Sequence, residues 1–220
     1  MKICSFGPVG LEQPGVLTEA GIIPLAELGS DQPASLRQLL AADLLPAVAK
    51  RAAVYEGKRL DRLTVRLGPP VPDPSKIICV GLNYKGHASE QGVDWPERPL
   101  LFAKAPSAVA GCRDNIVLPP EDACVDYEVE LAVVIGRRAR RVEAEEAFDH
   151  VAGCMVANDV SARRWQKNDG QWFRAKSCDS FFPCGPALVT LDEVGDLAAL
   201  RLQTRIGDEL LQDALAAELI

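Results

Sequence analysis

VDYEVELAVVIG, residues Val125 to Gly136, joins two unlike halves. Leu131 to Ile135 is a continuous apolar run closed by Gly136, the pattern of a buried strand. Asp126, Glu128 and Glu130 alternate ahead of it. Successive side chains of a strand point to opposite faces, so these three carboxylates share one face, roughly 6.5–7 Å apart. Acidic residues form strands poorly, and like charges on one face repel. Water at an exposed rim can offset that cost. So can a hard cation such as Mg²⁺, which takes oxygen ligands. The stretch alone leaves both readings open.

Around it lies a chain of 220 residues, 48% hydrophobic and 25% charged, long enough for one large domain or one domain and a small one. A net charge of -7 without a basic stripe argues against a nucleic-acid partner. The apolar runs fall short of the ~20 residues of a membrane helix. MKICSFGPVG at the N-terminus has no signal-peptide core, so the expected location is the cytoplasm. Seven cysteines, an odd number without a Cys-x-x-Cys pair, argue against a disulfide framework and a zinc knuckle. A zinc site of Cys178 or Cys184 with His87 fits no usual spacing. Any metal held here takes mainly oxygen ligands.

Residues 1–67 read as a small N-terminal α+β unit. It has short strands at Lys2–Phe6, Gly15–Leu17 and Gly21–Pro24, and a helix from an N-cap at Ser35 to Arg51 that Pro46 ends or kinks. A further strand is expected over Leu63–Leu67. Four prolines in GPPVPDPSK place a linker at 68–75. The second unit, 76–220, opens on the strand KIICV and the segment LNYKGHASEQG. His87 and Glu90, three apart, share one helical face, and a carboxylate beside an imidazole raises its basicity. Lys104 sits at the end of the strand LLFAK. After Gly136 come the basic surface run RRARR and a solvent-facing helix of Glu and Ala. The buried strand Val151–Asn158 delivers Asp159, either as N-cap of the helix VSARRWQK or as a functional carboxylate. In that helix Arg163 and Gln166 lie on one face. Five of the twelve aromatic residues fall between Trp165 and Phe182, and they surround Lys176, whose charge they can tune. Two strands joined at Gly207-Asp208 and an apolar helical stretch from Ala214 close the chain.

GLNYKGHASE, DYEVELAVVIG, NDVSARRWQ and QWFRAKSCDSFFPCGPALVT, in that order, resemble the fumarylacetoacetate hydrolase family, closest to its domain-containing-protein-2 and hydroxyhepta-dienedioate isomerase branch. The resemblance covers about Lys76 to the end. It implies a mixed β-sandwich roll, α+β but mainly β, usually as a homodimer. It implies metal ligation by Glu128, Glu130 and Asp159, with Mg²⁺ bound and Mn²⁺ or Ca²⁺ as substitutes. It implies catalytic roles for His87, Glu90 and Lys176, and substrate contacts for Arg163, Gln166 and Tyr84. Two departures stand out. Arg164 replaces the usual Asp of Ser-Ala-Arg-Asp, and the family's closing C-terminal strands are not expected before Ile220. The implied substrate is a small 2-oxo or β-diketo acid. C–C bond hydrolysis ranks first, tautomerisation, isomerisation or decarboxylation of an acid such as oxaloacetate second, and an inactive structural product third.

Overall fold

Apolar runs that sequence pattern marks as strands build a nine-stranded mixed sheet in the computed structural model, which describes residues 1–29, 35–86, 92, 94–121 and 124–220. The strands are β1 (Lys2–Phe6), β2 (Gln13–Thr18), β3 (Gly21–Pro24), β4 (Leu67–Gly68), β5 (Ile77–Gly81), β6 (Leu100–Lys104), β7 (Val109–Gly111), β8 (Val125–Asp126), β9 (Val129–Ile135), β10 (Val151–Asn158), β11 (Ser161–Ala162), β12 (Phe182–Cys184), β13 (Leu188–Thr190), β14 (Arg201–Ile206) and β15 (Glu209–Leu215). The main path runs β3-β2-β1-β13-β10-β12-β7, with β4 on β1 and β9 on β10; β5–β6, β8–β11 and β14–β15 form two-stranded ribbons. Helices are few and short, so the architecture is α+β but mainly β.

The sheet continues across the expected boundary at 68–75, because β1 pairs antiparallel with β13. Ile3 and Leu188 therefore share one core with Leu25, Leu36, Leu39 and Val48. A second core, including Met155, Val160, Ala175, Phe181 and Phe182, lies under the carboxylates described below.

Several local expectations change. The strand Val125–Gly136 is interrupted at Tyr127–Glu128, where the Asn158 side-chain oxygen accepts from the Glu128 amide at 3.0 Å in place of a ladder bond. Pro46 opens a second helix, Leu45–Ala53, after Ser35 has capped Leu36–Ala41; a first-turn proline loses no hydrogen bond. Of the expected 63–67 strand only Leu67 is extended, in the two-residue strand Leu67–Gly68. Asp61 instead accepts from the Leu63 amide at 2.9 Å and closes an Asx turn. The Glu/Ala helix shortens to a 3-10 segment, Ala144–His150. The closing helix is one 3-10 turn, Ala216–Glu218, because β15 runs on to Leu215.

Arg66 ties the first strands to the turn after β7. Its Nε and Nη2 donate to Asp114 at 2.8 and 2.6 Å, and its Nη1 to Glu12 at 2.9 Å. The bond from Arg66 lowers the Asp114 pKa from its usual range. A carboxyl whose folded pKa lies below its unfolded value of about 3.9 adds stability above that pH, and loses it as pH falls through the folded pKa. Asp114→Asn is therefore expected to cost about 1.5 kcal/mol at pH 7. The gap from wild type should shrink as unfolding is measured at progressively lower pH below about 4. An equal gap at pH 7 and pH 3 would contradict the assignment.

Candidate active site

β9 and β10 pair antiparallel with Val129 opposite Asn158, and one further bond, from the Asp159 amide to the Glu128 carbonyl at 2.8 Å, extends the pairing. This puts Glu128, just before β9, beside Asp159, just after β10. Asp159 caps no helix: the N-cap of Arg163–Asn168 is Ala162. Its carbonyl accepts from Ser161 Oγ at 2.9 Å, which fixes the backbone further.

Two lysines converge on these carboxylates from other elements. Lys104, the last residue of β6, donates from Nζ to Asp159 Oδ1 at 2.6 Å and to the Val160 carbonyl at 3.2 Å. Lys176, at the end of the helix Phe173–Lys176, donates to Glu128 Oε2 at 2.6 Å and Asp159 Oδ2 at 2.8 Å. Their side chains are 0% and 2% exposed. Arg163 Nη2 reaches Glu128 Oε1 at 2.6 Å and Asp126 Oδ2 at 2.7 Å, while its Nη1 donates to Gln166 Oε1 at 2.9 Å. Charges thus alternate along a chain: Lys104, Asp159, Lys176, Glu128, Arg163, Asp126. Each oxygen of Asp159 and of Glu128 meets a cation. Such charge-assisted bonds are the strong class of hydrogen bond, and burial makes each one costly to break.

Aromatic side chains wall the cluster. The Phe102 ring centroid lies 5.1 Å from Lys176 Nζ, and Trp172 meets Phe102 edge-on at 5.3 Å. Phe182 lies 5.9 Å from Lys104 Nζ. Burial lowers the Lys104 pKa, and Asp159 opposes that shift. Burial, with repulsion from Glu128 and Asp159, pushes Glu130 up to about 8. Burial also raises the Cys79 thiol to about 12, assisted by Asp159, so Cys79 faces the cluster as a neutral group. Tyr84 is raised to about 12 by burial and by Glu130; its hydroxyl is buried and has no hydrogen-bond partner among the described residues.

The donor set suits a hard divalent cation: three carboxylates, one of them raised first by burial and then by its anionic neighbours. Its arrangement is governed by lysine. Among the described residues no three His, Cys, Asp or Glu side chains are grouped to enclose an ion, and Lys176 Nζ stands between Glu128 and Asp159. The structure thus brings together Glu128, Glu130, Asp159, Arg163, Gln166, Lys176 and Tyr84. His87 and Glu90 lie outside the described residues. The sequence left Lys104 as a strand-end lysine and Asp126 as a carboxylate on the face of Glu128 and Glu130, outside the implied ligand set. Their partners come from elements far apart in the chain, and a cation closing an apolar strand was the one available signal for Lys104. Arg164, the departure from the family pattern, donates to Cys124 Sγ at 3.6 Å.

A cavity of about 370 Å³ lies at the opposite end of β9 and β10, lined by Leu40, Leu45, Gly136, His150 and Leu191 among others. It holds none of the clustered carboxylates, so the chemistry places the candidate site at the Glu128–Asp159 end.

Residues 76–220 match the family described as fumarylacetoacetate (FAA) hydrolase C-terminal. The rat (Rattus norvegicus) protein named oxaloacetate tautomerase Fahd2a, mitochondrial, is 39% identical over 226 residues, spanning 100% of this chain and 72% of the relative. A solved structure described as an HpcE protein of Mycobacterium smegmatis has a TM-score of 0.87 at 31% identity, covering 100% of this chain and 77% of its own. Maleylpyruvate hydrolase from Sphingobium sp. SYK-6, in complex with manganese (II) ion and pyruvate, gives a TM-score of 0.79 at 30% identity, covering 100% and 78%.

Proposed function

The chain belongs to the fumarylacetoacetate hydrolase family, and on that premise we propose that it catalyses keto–enol tautomerisation of a small 2-oxo dicarboxylate such as oxaloacetate, with a divalent cation held by Glu128, Glu130 and Asp159. The observation that carries the reading is the alternating chain of buried cations and carboxylates around Asp159. Few structural needs explain two buried lysines on one aspartate, whereas chemistry on an anionic oxygen does. The manganese and pyruvate bound by the maleylpyruvate hydrolase support the choice of cofactor and substrate class.

When bound, the cation supplies Lewis-acid polarisation of the 2-oxo group, which acidifies the neighbouring carbon. The remaining work falls to side chains. Lys176, walled by Phe102 and Trp172, presents its ammonium to the enolate oxygen from a site that largely excludes water. Arg163 holds Glu128 and orients Gln166, whose amide nitrogen is left to face substrate. The Tyr84 hydroxyl, without a hydrogen-bond partner among the described residues, offers a donor for a substrate carboxylate. His87, with Glu90 three residues on, is our proposed base for the carbon-bound proton.

Proton transfer is placed ahead of C–C hydrolysis because of the tautomerase named among the relatives. Hydrolysis, ranked first on sequence, is kept as the second reading, favoured by the similarity to maleylpyruvate hydrolase. The test follows the enol absorbance of oxaloacetate with Mg²⁺ or Mn²⁺ and with EDTA, against protein-free controls. We expect faster equilibration without product acids, reduced about 100-fold by EDTA. Cleavage of an acylpyruvate to two acids, with no effect on oxaloacetate, would replace this reading with hydrolysis.

A further inference from the structure

We infer that Lys104 is a positioning residue that acts through Asp159: it pins one carboxylate oxygen, so that the other is the one Asp159 presents to the reaction centre. The inference rests on the proposed cation site and goes beyond it. Lys104 cannot touch substrate, since its side chain is 0% exposed. Its Nζ is held at two points, Asp159 Oδ1 at 2.6 Å and the Val160 carbonyl at 3.2 Å, with the Phe182 ring 5.9 Å away. The opposite oxygen of Asp159, Oδ2, faces Lys176 and the side of Glu128. The two lysines therefore differ in task. Lys176 bridges two carboxylates at the working face. Lys104 serves Asp159 alone, from behind.

Topology shows why a lysine stands there. Among the described residues β6 pairs only with β5, as a ribbon separate from the main sheet, and Lys104 is paired opposite Ile77 at its end. The bond to Asp159 thus fixes the ribbon's position against the end of β10. That same ribbon carries Phe102 against Lys176 and Cys79 beside the carboxylates. One buried ion pair thereby sets both the orientation of the aspartate and the placement of the wall facing it. Groups that orient ligands in this way change metal affinity by about 10–100-fold when removed.

The test is Mn²⁺ binding to the whole chain by calorimetry, with folding checked by the thermal transition, for wild type, Lys104→Arg, Lys104→Gln and Lys104→Met. Wild-type binding tests the cation site itself, and its absence would overturn the proposed function. Given wild-type binding, Lys104→Met and Lys104→Gln are expected to raise the Kd by about 10–100-fold, and Lys104→Arg by only several-fold, because it restores charge in a different geometry. A folded neutral variant that binds Mn²⁺ within twofold of wild type overturns the role of Lys104 while leaving the proposed function standing. Should both neutral variants fail to fold, unchanged Mn²⁺ affinity in Lys104→Arg also overturns it, and a several-fold loss supports it.

Discussion

Asp159→Ala is expected to lower stability by about 3–5 kcal/mol and activity by about 10²–10³-fold. Two effects meet at this residue. The carboxylate is the counter-ion of Lys104 and Lys176, whose side chains are 0% and 2% exposed. Deleting it leaves Lys104, among the described residues, with the Val160 carbonyl, and Lys176 with Glu128, which Arg163 already shares. A buried ammonium without its partner must lose its proton or draw in water, and either costs more than an average core truncation. Activity falls for the separate reason that a charge aimed at the reacting atoms has gone. Asp159→Asn separates the two, because it keeps the shape and one acceptor oxygen. Its stability loss should be roughly half that of Ala, with an equal loss of rate. Denaturant unfolding and the oxaloacetate assay measure both quantities. An Asn variant with wild-type activity would remove Asp159 from the mechanism, and an Ala variant of wild-type stability would contradict the buried pairing.

How far the sequence carries this site depends on whether partners are near one another along the chain. VELAVVI and VAGCMVAN are legible as strands because apolar continuity marks a strand wherever it occurs; the burial expected of Leu131–Ile135 does not follow, since Val133 and Ile135 are exposed. Glu128 and Asp159 are legible as candidates because each stands at the polar end of such a run. That they become neighbours is a matter of register, with Val129 set opposite Asn158, and composition does not encode register. Lys104 was missed because its partner lies 55 residues away. The break at Tyr127–Glu128 depends on an asparagine side chain from another strand. Pro46 was read as a terminator because a helix interior rejects proline, while the first turn of a new helix accepts it. The separation of residues 1–67 followed from four prolines in the linker. Pairing of β1 with β13 is invisible there, since either strand presents the same alternation to any partner.

Gly153→Ala is expected to destabilise the protein by about 3 kcal/mol, or about 6–12 °C in Tm, through the neighbouring seam between β10 and β13. A Cβ built on Gly153 would stand 2.1 Å from the Val189 carbonyl oxygen and 2.8 Å from its carbon. Both are backbone atoms, so no rotamer change relieves the contact. β10 and β13 would have to part where Gly153 lies opposite Thr190 and Cys154 opposite Val189. β13 pairs in turn with β1 through Lys2–Val189 and Ile3–Leu188, so the strain reaches the strands that hold Leu25, Leu36 and Leu39 over their core. The candidate active site lies at the far end of β10, beyond Asn158, and is anchored there by β9 and by the lysines. Protein that remains folded should therefore keep near-normal turnover, and amide hydrogen exchange should quicken in β1 and β13 before β9. Gly86→Ala, whose Cβ meets nothing within 4 Å among the described residues, provides the control and should shift Tm little. If Gly153→Ala melts with wild type, the close approach of β10 to β13 is wrong. If turnover per folded molecule collapses while the melting temperature holds, the seam and the active site are coupled more tightly than the intervening strand implies.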